Sequence, residues 1–384
     1  MFENGFPSDW STLKKLIWLR GSGAGGSDLP WTEFTGNPLE FDAPKAHSLK
    51  SCVVTIEPIQ SGSGDPSPDN IRPISGWTEA NVWGTGENLL DFKAALDYWG
   101  ATYTDNGDGS YTVTAIGTGY SKPYAFLAED VAVSASATIV NDSTASGWGF
   151  DLVKSNGSAS GQVGSGSSAE NKQACKIRLN YGALGNGATF SNVMLNLGST
   201  ASPYSPYSGS SLTIPFGQTV YGGNASYNGD GTWTVTVDRA YVTLDNTNSW
   251  QMYASGKFYV NNVTSGALGD AGASASDLAK YISNQYLFSG TGNSSSNAIN
   301  VDKRFYGTYK NYNRIWVYDS QYSTLDAFTT ALASNPLTIV YPIATPTTFT
   351  VSNAQLFDAL QGRNVMWTDC NNLTIEARGT AVTP

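Results

Sequence analysis

The stretch Asn106-Gly107-Asp108-Gly109-Ser110-Tyr111-Thr112-Val113-Thr114 nearly recurs as Asn228-Gly229-Asp230-Gly231-Thr232-Trp233-Thr234-Val235-Thr236. Asn-Gly and Asp-Gly tolerate positive φ and close tight hairpins. Thr, Val, Tyr and Trp then alternate along a strand. A calcium loop does not fit, because an EF-hand needs acidic oxygens at positions one, three and five and a glutamate at twelve. With Gly109 as the sixth residue, Thr104 is first and Ala115 twelfth; with Gly231, Ser226 is first and Val237 twelfth. Each copy therefore predicts a β-hairpin, and the fold must accommodate at least two.

Composition points the same way. The 384 residues suffice for two or three domains with real cores, and 41 glycines with many Ser, Thr, Asn and Tyr predict short strands joined by turns. Charged residues make up 14% of the chain, against about 25% in ordinary soluble domains. The net charge is −10 and no basic run occurs, which argues against nucleic acid as a partner. Cys52, Cys175 and Cys370 are odd in number and widely spaced, so neither a full disulfide framework nor a CxxC zinc module is expected. Free thiols in a reducing compartment are the simplest reading. The apolar run Leu16–Leu19 after Lys14-Lys15 is too short for an export signal or a membrane span. No membrane insertion is expected, and a protein acting outside a cell would leave by lysis or within a particle.

Three segments follow along the chain. Residues 1–86 read as an extended, irregular attachment arm and linker, with a Gly/Ser-rich break at 21–27 and a short strand at Lys50–Pro58. Residues 87–216 carry strand patterns at Ser110–Ala115, Val131–Val140, Gly149–Lys154, Cys175–Asn180 and Thr189–Leu197. Their spacing suits an all-β sandwich, and the Gly/Ser-rich stretch Ser155–Ser168 reads as a surface loop. Residues 217–384 combine strands at Thr232–Val237, Tyr241–Leu244, Ile315–Tyr318 and Thr338–Tyr341 with three short helical windows. These windows are Asp277–Gln285 after Ser276, Leu325–Ala333 stopped by Asn335-Pro336, and Asn353–Leu360 with a Ser352/Gln355 capping box and Gly362 as its C-cap. The surroundings of the two hairpins differ, so the repeat is one good turn used twice rather than a duplicated domain.

Several segments resemble a known group. Thr35-Gly36-Asn37-Pro38 with Leu49–Gln60, Ile71–Trp77 with Gly86-Glu87-Asn88-Leu89-Leu90, and Asn192–Leu197 with Pro203–Tyr207 are similar to tail-associated and fibre structural proteins of phages of Gram-positive gut bacteria. Val220–Gly223, Val237–Ala240 and Gly362–Asp369 resemble the C-terminal module of those proteins. The resemblance implies a virion location after assembly in the host cytoplasm, and a carbohydrate-binding-like jelly roll over 87–216. It also implies a β-rich C-terminal domain over 217–384 with a few short helices, and self-association, plausibly as a trimer. Adhesion to a host surface glycan from a tail fibre or baseplate is the expected role. A head fibre or capsid decoration protein is the neighbouring alternative. The collagen-like repeat, long coiled coil and β-helix repeat of long fibre shafts are missing from the sequence.

Reactive chemistry has little to build on. His47 is the single histidine, there is no GxSxG elbow, and Glu87 with Asp91 or Asp97 could be nominated for glycoside cleavage only as one of the dozens of carboxylate pairs any acidic chain of this size offers. No catalytic residue, metal site or cofactor is assigned, and a glycan depolymerase stands as the enzymatic alternative. Sugar binding has a clearer basis, since aromatic rings stack on pyranose C–H faces while polar side chains bond the hydroxyls. Trp148 between two glycines, Tyr120 and Tyr124 as one wall of a cleft, and Arg178 are the candidates, with Trp99 and Tyr181 beside them. Trp10, Leu13, Leu16, Ile17, Trp18, Leu19 and Trp31 make the N-terminus too apolar for a free tail. They predict a segment that docks on other virion proteins.

Overall fold

The computed structural model describes residues 32–117, 119–127, 131, 137–140, 149–163, 168–169, 174–180, 188–197, 202–261, 281–292, 301–308, 314–352 and 360–379. The protein is mainly β, built on a ten-stranded sheet curled into a half-barrel. Along it run the strands Gly209–Val220, Trp77–Thr85, Leu360–Thr368, Leu39–Ile56, Gly223–Tyr227, Thr232–Leu244, Leu337–Ser352 and Ile282–Ser283. Asn372–Gly379 pairs with both Thr32–Gly36 and the second half of Leu39–Ile56. Every pairing in this sheet is antiparallel. Its buried face carries Cys52, Val54, Ile56, Val82, Ile214, Trp233, Val235 and Ile375.

The irregular course expected up to residue 86 gives way to main-sheet strands over Thr32–Gly36, Leu39–Ile56 and Trp77–Thr85, while the stretch between the last two holds only the small pair Ile59–Gln60 and Ile74–Ser75. Hydrogen-bonded neighbours from the far end of the chain supply what local pattern lacked. Residues 1–31, with all seven apolar anchor candidates, lie outside the described residues.

Two long excursions leave this sheet and return to it at paired residues. Thr85 and Gly209 are register partners, and Gly86 N–H donates to the Ser208 carbonyl at 3.0 Å across the first exit. Leu244 and Leu337 are partners across the second. The first excursion folds three small antiparallel sheets and a helix around one core that includes Phe92, Leu96, Phe150, Ile177 and Phe190. The main sheet adds only Val365 and Trp367 to the buried members of that core. The second excursion is a five-stranded sheet over Trp250–Ala254, Lys257–Val260, Leu287–Gly292, Arg304–Thr308 and Arg314–Tyr318, backed by the helix Leu325–Ser334.

The two hairpins have the predicted chemistry, atom for atom. Asp108 Oδ1 accepts from Ser110 N–H and O–H at 2.9 and 2.6 Å; Asp230 Oδ1 accepts from Thr232 N–H and O–H at 3.0 and 2.6 Å. Asn106 and Asn228 each donate Nδ2–H to the same hydroxyl at 2.8 Å. Gly107, Gly109, Gly229 and Gly231 all have φ between 79° and 85°, which a side chain would strain.

Helix expectations fared unevenly. Leu325–Ser334 forms as predicted, with Thr324 Oγ1 accepting from Ala327 N–H at 3.2 Å. Asp277–Gln285 is not a helix where it is described, because Ile282–Ser283 pairs with the Leu337–Ser352 strand. Ser283 Oγ there accepts from the Gln285 and Tyr286 N–H groups, both at 3.2 Å, which closes a turn instead. In the third window residues 353–359 lie outside the described residues, while Leu360 opens a strand and Gly362 pairs with Ala43. One helix was not expected: Phe92–Trp99, capped by Asp91 and ended by Gly100 at φ 70°.

Part of the Ser155–Ser168 loop is a hairpin arm. Ala159–Val163 pairs with Gly149–Lys154, and residues 164–167 lie outside the described residues. Small residues pair through backbone alone, so no apolar alternation announces them. The predicted Thr189–Leu197 strand is cut in two at Asn192, whose φ is 55°.

Two outcomes follow from this packing. Phe328 is fully buried, stacked on Phe258 at 4.1 Å and meeting Trp250 edge-on at 5.0 Å. Phe328→Ala is expected to cost about 3–5 kcal/mol by urea unfolding. A fragment spanning residues 86–208 holds nearly all of its own core and is expected to unfold cooperatively by circular dichroism. A broad, non-cooperative melt would show that Val365 and Trp367 are essential to that core.

Candidate functional site

Where the first excursion meets the main sheet, a cleft of about 450 Å³ opens. Its floor is a pair of tryptophans. Trp83 and Trp367 are register partners on adjacent strands, and their rings stack at 6.2 Å with 13° between planes. The walls come from the excursion: Leu89 and Asp91 at its start, Tyr124 and Phe126 in its middle, Tyr207 at its end.

A buried amide holds those walls in place. Asn88 donates to the Val193 and Ser205 carbonyls at 3.3 and 3.2 Å and accepts from Leu90 and Leu195 N–H at 3.0 and 3.1 Å. One side chain thereby ties the outgoing chain to the returning chain, with donors and acceptor all satisfied. Asp91 Oδ1 accepts from Ala94 N–H at 3.0 Å and fixes the helix start at the cleft rim. Asp369, on the opposite rim, accepts from Asn81 N–H and Nδ2–H, both at 2.8 Å.

Burial, followed by the negative charge of Asp91, pushes the Tyr207 phenol up to about 12, and the same causes raise Tyr124. Both stay protonated near neutrality and can donate. Trp367 Nε1 is buried and has no hydrogen-bond partner. Flat apolar rings, phenol donors and carboxylate acceptors together suit a polyhydroxylated ring compound, and the volume is that of a small-molecule site.

The sequence candidates are dispersed. Tyr124 lines the cleft, its ring 5.5 Å from Tyr98. Tyr120 does not share that wall: it bridges to Asn180, whereas Tyr124 pairs with Ile177 further along the same strand. Extended backbone carries the two rings apart. Tyr120 is instead exposed beneath Arg178, whose guanidinium stands 4.4 Å from its ring centroid and whose Nε pairs with Asp151 Oδ2 at 3.0 Å. Trp148 and Tyr181 lie outside the described residues. Trp99 is a core residue, its Nε1–H donated to the Lys122 carbonyl at 2.7 Å.

Trp83, Tyr207, Trp367 and Asp369 were not singled out from sequence. Their approach depends on a strand pairing between distant segments, for which no local signal exists.

Two of the three carboxylates named for glycoside chemistry have structural duties. Asp91 caps its helix, and Asp97 accepts from Lys93 at 2.8 Å and from the Tyr103 hydroxyl at 2.5 Å. Cys52, Cys175 and Cys370 are buried and form no disulfide, and burial pushes Cys52 up to about 12, far from thiolate reactivity. Among the described residues no group of three or more His, Cys, Asp or Glu could hold a metal, and no helix is long and apolar enough to cross a membrane. Comparison with protein-family models, with curated proteins and with solved structures finds no match to this chain.

Tyr207 gives the cleft a direct probe. Its ring lies across Gly209, where a Cβ would stand 1.9 Å from the phenol oxygen and 2.2 Å from Cζ. Gly209→Ala is expected to drive the ring away from its half-buried place over that glycine. The upward push that burial and Asp91 give the Tyr207 phenol should then relax towards the ordinary range, read by pH titration of carbon-labelled tyrosine in NMR. An unmoved resonance would place Tyr207 elsewhere in solution.

Proposed function

We propose that this protein is a phage virion structural protein, tail-fibre or baseplate-associated, that adheres to a host surface glycan through the cleft between its first excursion and its main sheet. The observation that carries the reading is the stacked Trp83–Trp367 floor under Tyr124 and Tyr207, rimmed by Asp91 and Asp369. Aromatic faces take the C–H side of a pyranose ring, and the phenols and carboxylates take its hydroxyls. The small sheets around one core support the jelly-roll reading of this unit. A homo-oligomer, plausibly a trimer, and docking through residues 1–34 of the N-terminal arm to other virion proteins belong to the same proposal.

Binding is favoured over cleavage because both rim carboxylates already accept hydrogen bonds that hold the fold. A base or acid of a glycosidase must be able to exchange its proton with the substrate. A head fibre or capsid decoration protein would use the same fold from another position on the particle.

Trp83→Ala removes the accessible half of the floor, since Trp83 is the less buried of the two rings. Loss of one stacking partner is worth roughly 1.5 kcal/mol, or about ten-fold in affinity. The measurement is binding of fluorescent protein to host cells and to their extracted wall polysaccharide, with circular dichroism confirming the fold. Unchanged binding would remove the cleft from the reading, and release of reducing ends by the unaltered protein would replace adhesion with depolymerisation. Immunogold microscopy of intact particles with antibody against residues 217–384 tests the address. Label at the tail tip is expected; label over the capsid would move the protein to the head-fibre class, and unlabelled particles would overturn the virion assignment.

A further inference from the structure

The cleft is aromatic and, among the described residues that line it, free of lysine and arginine. Trp83, Tyr124 and Tyr207 are its accessible rings, with Trp367, 4% exposed, stacked on Trp83. Tyr98, 53% exposed and 5.5 Å from Tyr124, extends the aromatic wall outward. Asp91 and Asp369 are both part-exposed at the rim. Among the described residues neither of them has a salt-bridge partner.

These carboxylates supply charge rather than free acceptors. Both Asp369 oxygens accept from Asn81, and Asp91 Oδ1 accepts from Ala94 N–H. Asp91 lies close enough to the Tyr124 and Tyr207 phenols for its negative charge, after burial, to raise each of them, and no cation offsets it at either ring. A primary ammonium needs acceptors for three N–H groups. A methylated ammonium needs none. It needs electron-rich ring faces within about 6 Å, tryptophan being the best, and a negative field. The chain's net charge of −10 acts in the same direction.

We propose that the cleft holds a quaternary ammonium group, a choline-type substituent carried by the host glycan. Its placement on a glycan rests on the adhesion reading above; the ammonium cage rests on the cleft alone. Trp83, Tyr124 and Tyr207 take the N-methyl groups on their faces. Asp91 and Asp369 balance the charge, and Tyr98 at the outer rim is left to stack on the sugar that carries the substituent.

The test titrates the full chain, by tryptophan fluorescence and calorimetry, with three probes. They are choline, dimethylbutanol, in which carbon replaces the charged nitrogen, and glucosamine as a primary ammonium. Choline is expected to bind roughly ten-fold more tightly than either of the others. Asp91→Asn keeps the helix cap, since asparagine caps as well as aspartate. It should cut the preference for choline several-fold with the melting temperature held, and Trp83→Ala should weaken choline binding likewise. Choline is also expected to displace the protein from host wall polysaccharide. Equal binding of choline and dimethylbutanol, tighter binding of glucosamine, or an undiminished preference in Asp91→Asn would overturn the cage while leaving adhesion standing. Choline bound without displacing the polysaccharide would overturn the placement on a glycan, and co-sedimentation with phosphatidylcholine vesicles would then move the group to a lipid headgroup. Choline bound by a chain that does not bind wall polysaccharide at all would be the failure of adhesion and of that placement, not of the cage.

Discussion

The Leu39–Ile56 strand is the piece to which the main sheet is fastened. Its first half pairs with Leu360–Thr368, its second half with Asn372–Gly379 on one side and Gly223–Tyr227 on the other. Three parts of the chain, remote in sequence, are hydrogen-bonded to one continuous strand. Asn37, just before it, closes the arrangement by donating to the Thr368 and Cys370 carbonyls at 3.0 and 3.2 Å and accepting from Thr368 N–H at 3.1 Å. Cys52, Val54 and Ile56 on this strand are fully buried, so its inner face also anchors the core. Loss of this strand would leave the flanking strands with unpaired edges and an open hydrophobic face.

Because each excursion leaves and re-enters at paired residues, the sheet is not interrupted by carrying them. The same closure lets the excursion present its entry and exit segments side by side above the sheet, which is where the cleft forms. Polar groups, not apolar ones, fix the fine position of its walls: Asn88 across the excursion's ends and Asn81–Asp369 across the strand edge. Elsewhere a buried cation does similar work at greater expense. Arg239 lies over Gly222, where a Cβ would come within 2.6 Å of its Cδ, and pairs with Glu57, yet its Nε and Nη1 have no hydrogen-bond partner. Such a pair is poor evidence of stability.

The proposed adhesion rests on one physical scheme. Rings held rigidly by sheet pairing offer flat apolar area at little entropic cost, and polar groups around them select the ligand. The cleft's groups are phenols and carboxylates, suited to neutral hydroxyls.

Turn chemistry was legible in the sequence because it is local. Asn, Asp and Gly within nine residues fix both hairpin turns, and Thr324 with Asn335-Pro336 brackets one helix, through bonds that span a few residues. The mainly β class follows from the same turns and the alternation between them. The Phe92–Trp99 helix was readable in principle, since Phe92, Ala95, Leu96 and Trp99 recur at helical spacing, but eight residues are little to set against the strands around them. Which strand lies beside which was decided only in the tertiary structure. Backbone N–H and C=O groups are alike in every residue, so pairing between residue 83 and residue 367 leaves no mark near either. The sequence by itself therefore determined that the chain would be turns and strands. The cleft, the stacked tryptophans and the strand status of residues 39–49 and 77–85 came from long-range pairing, where burial of a shared face outweighs any local preference.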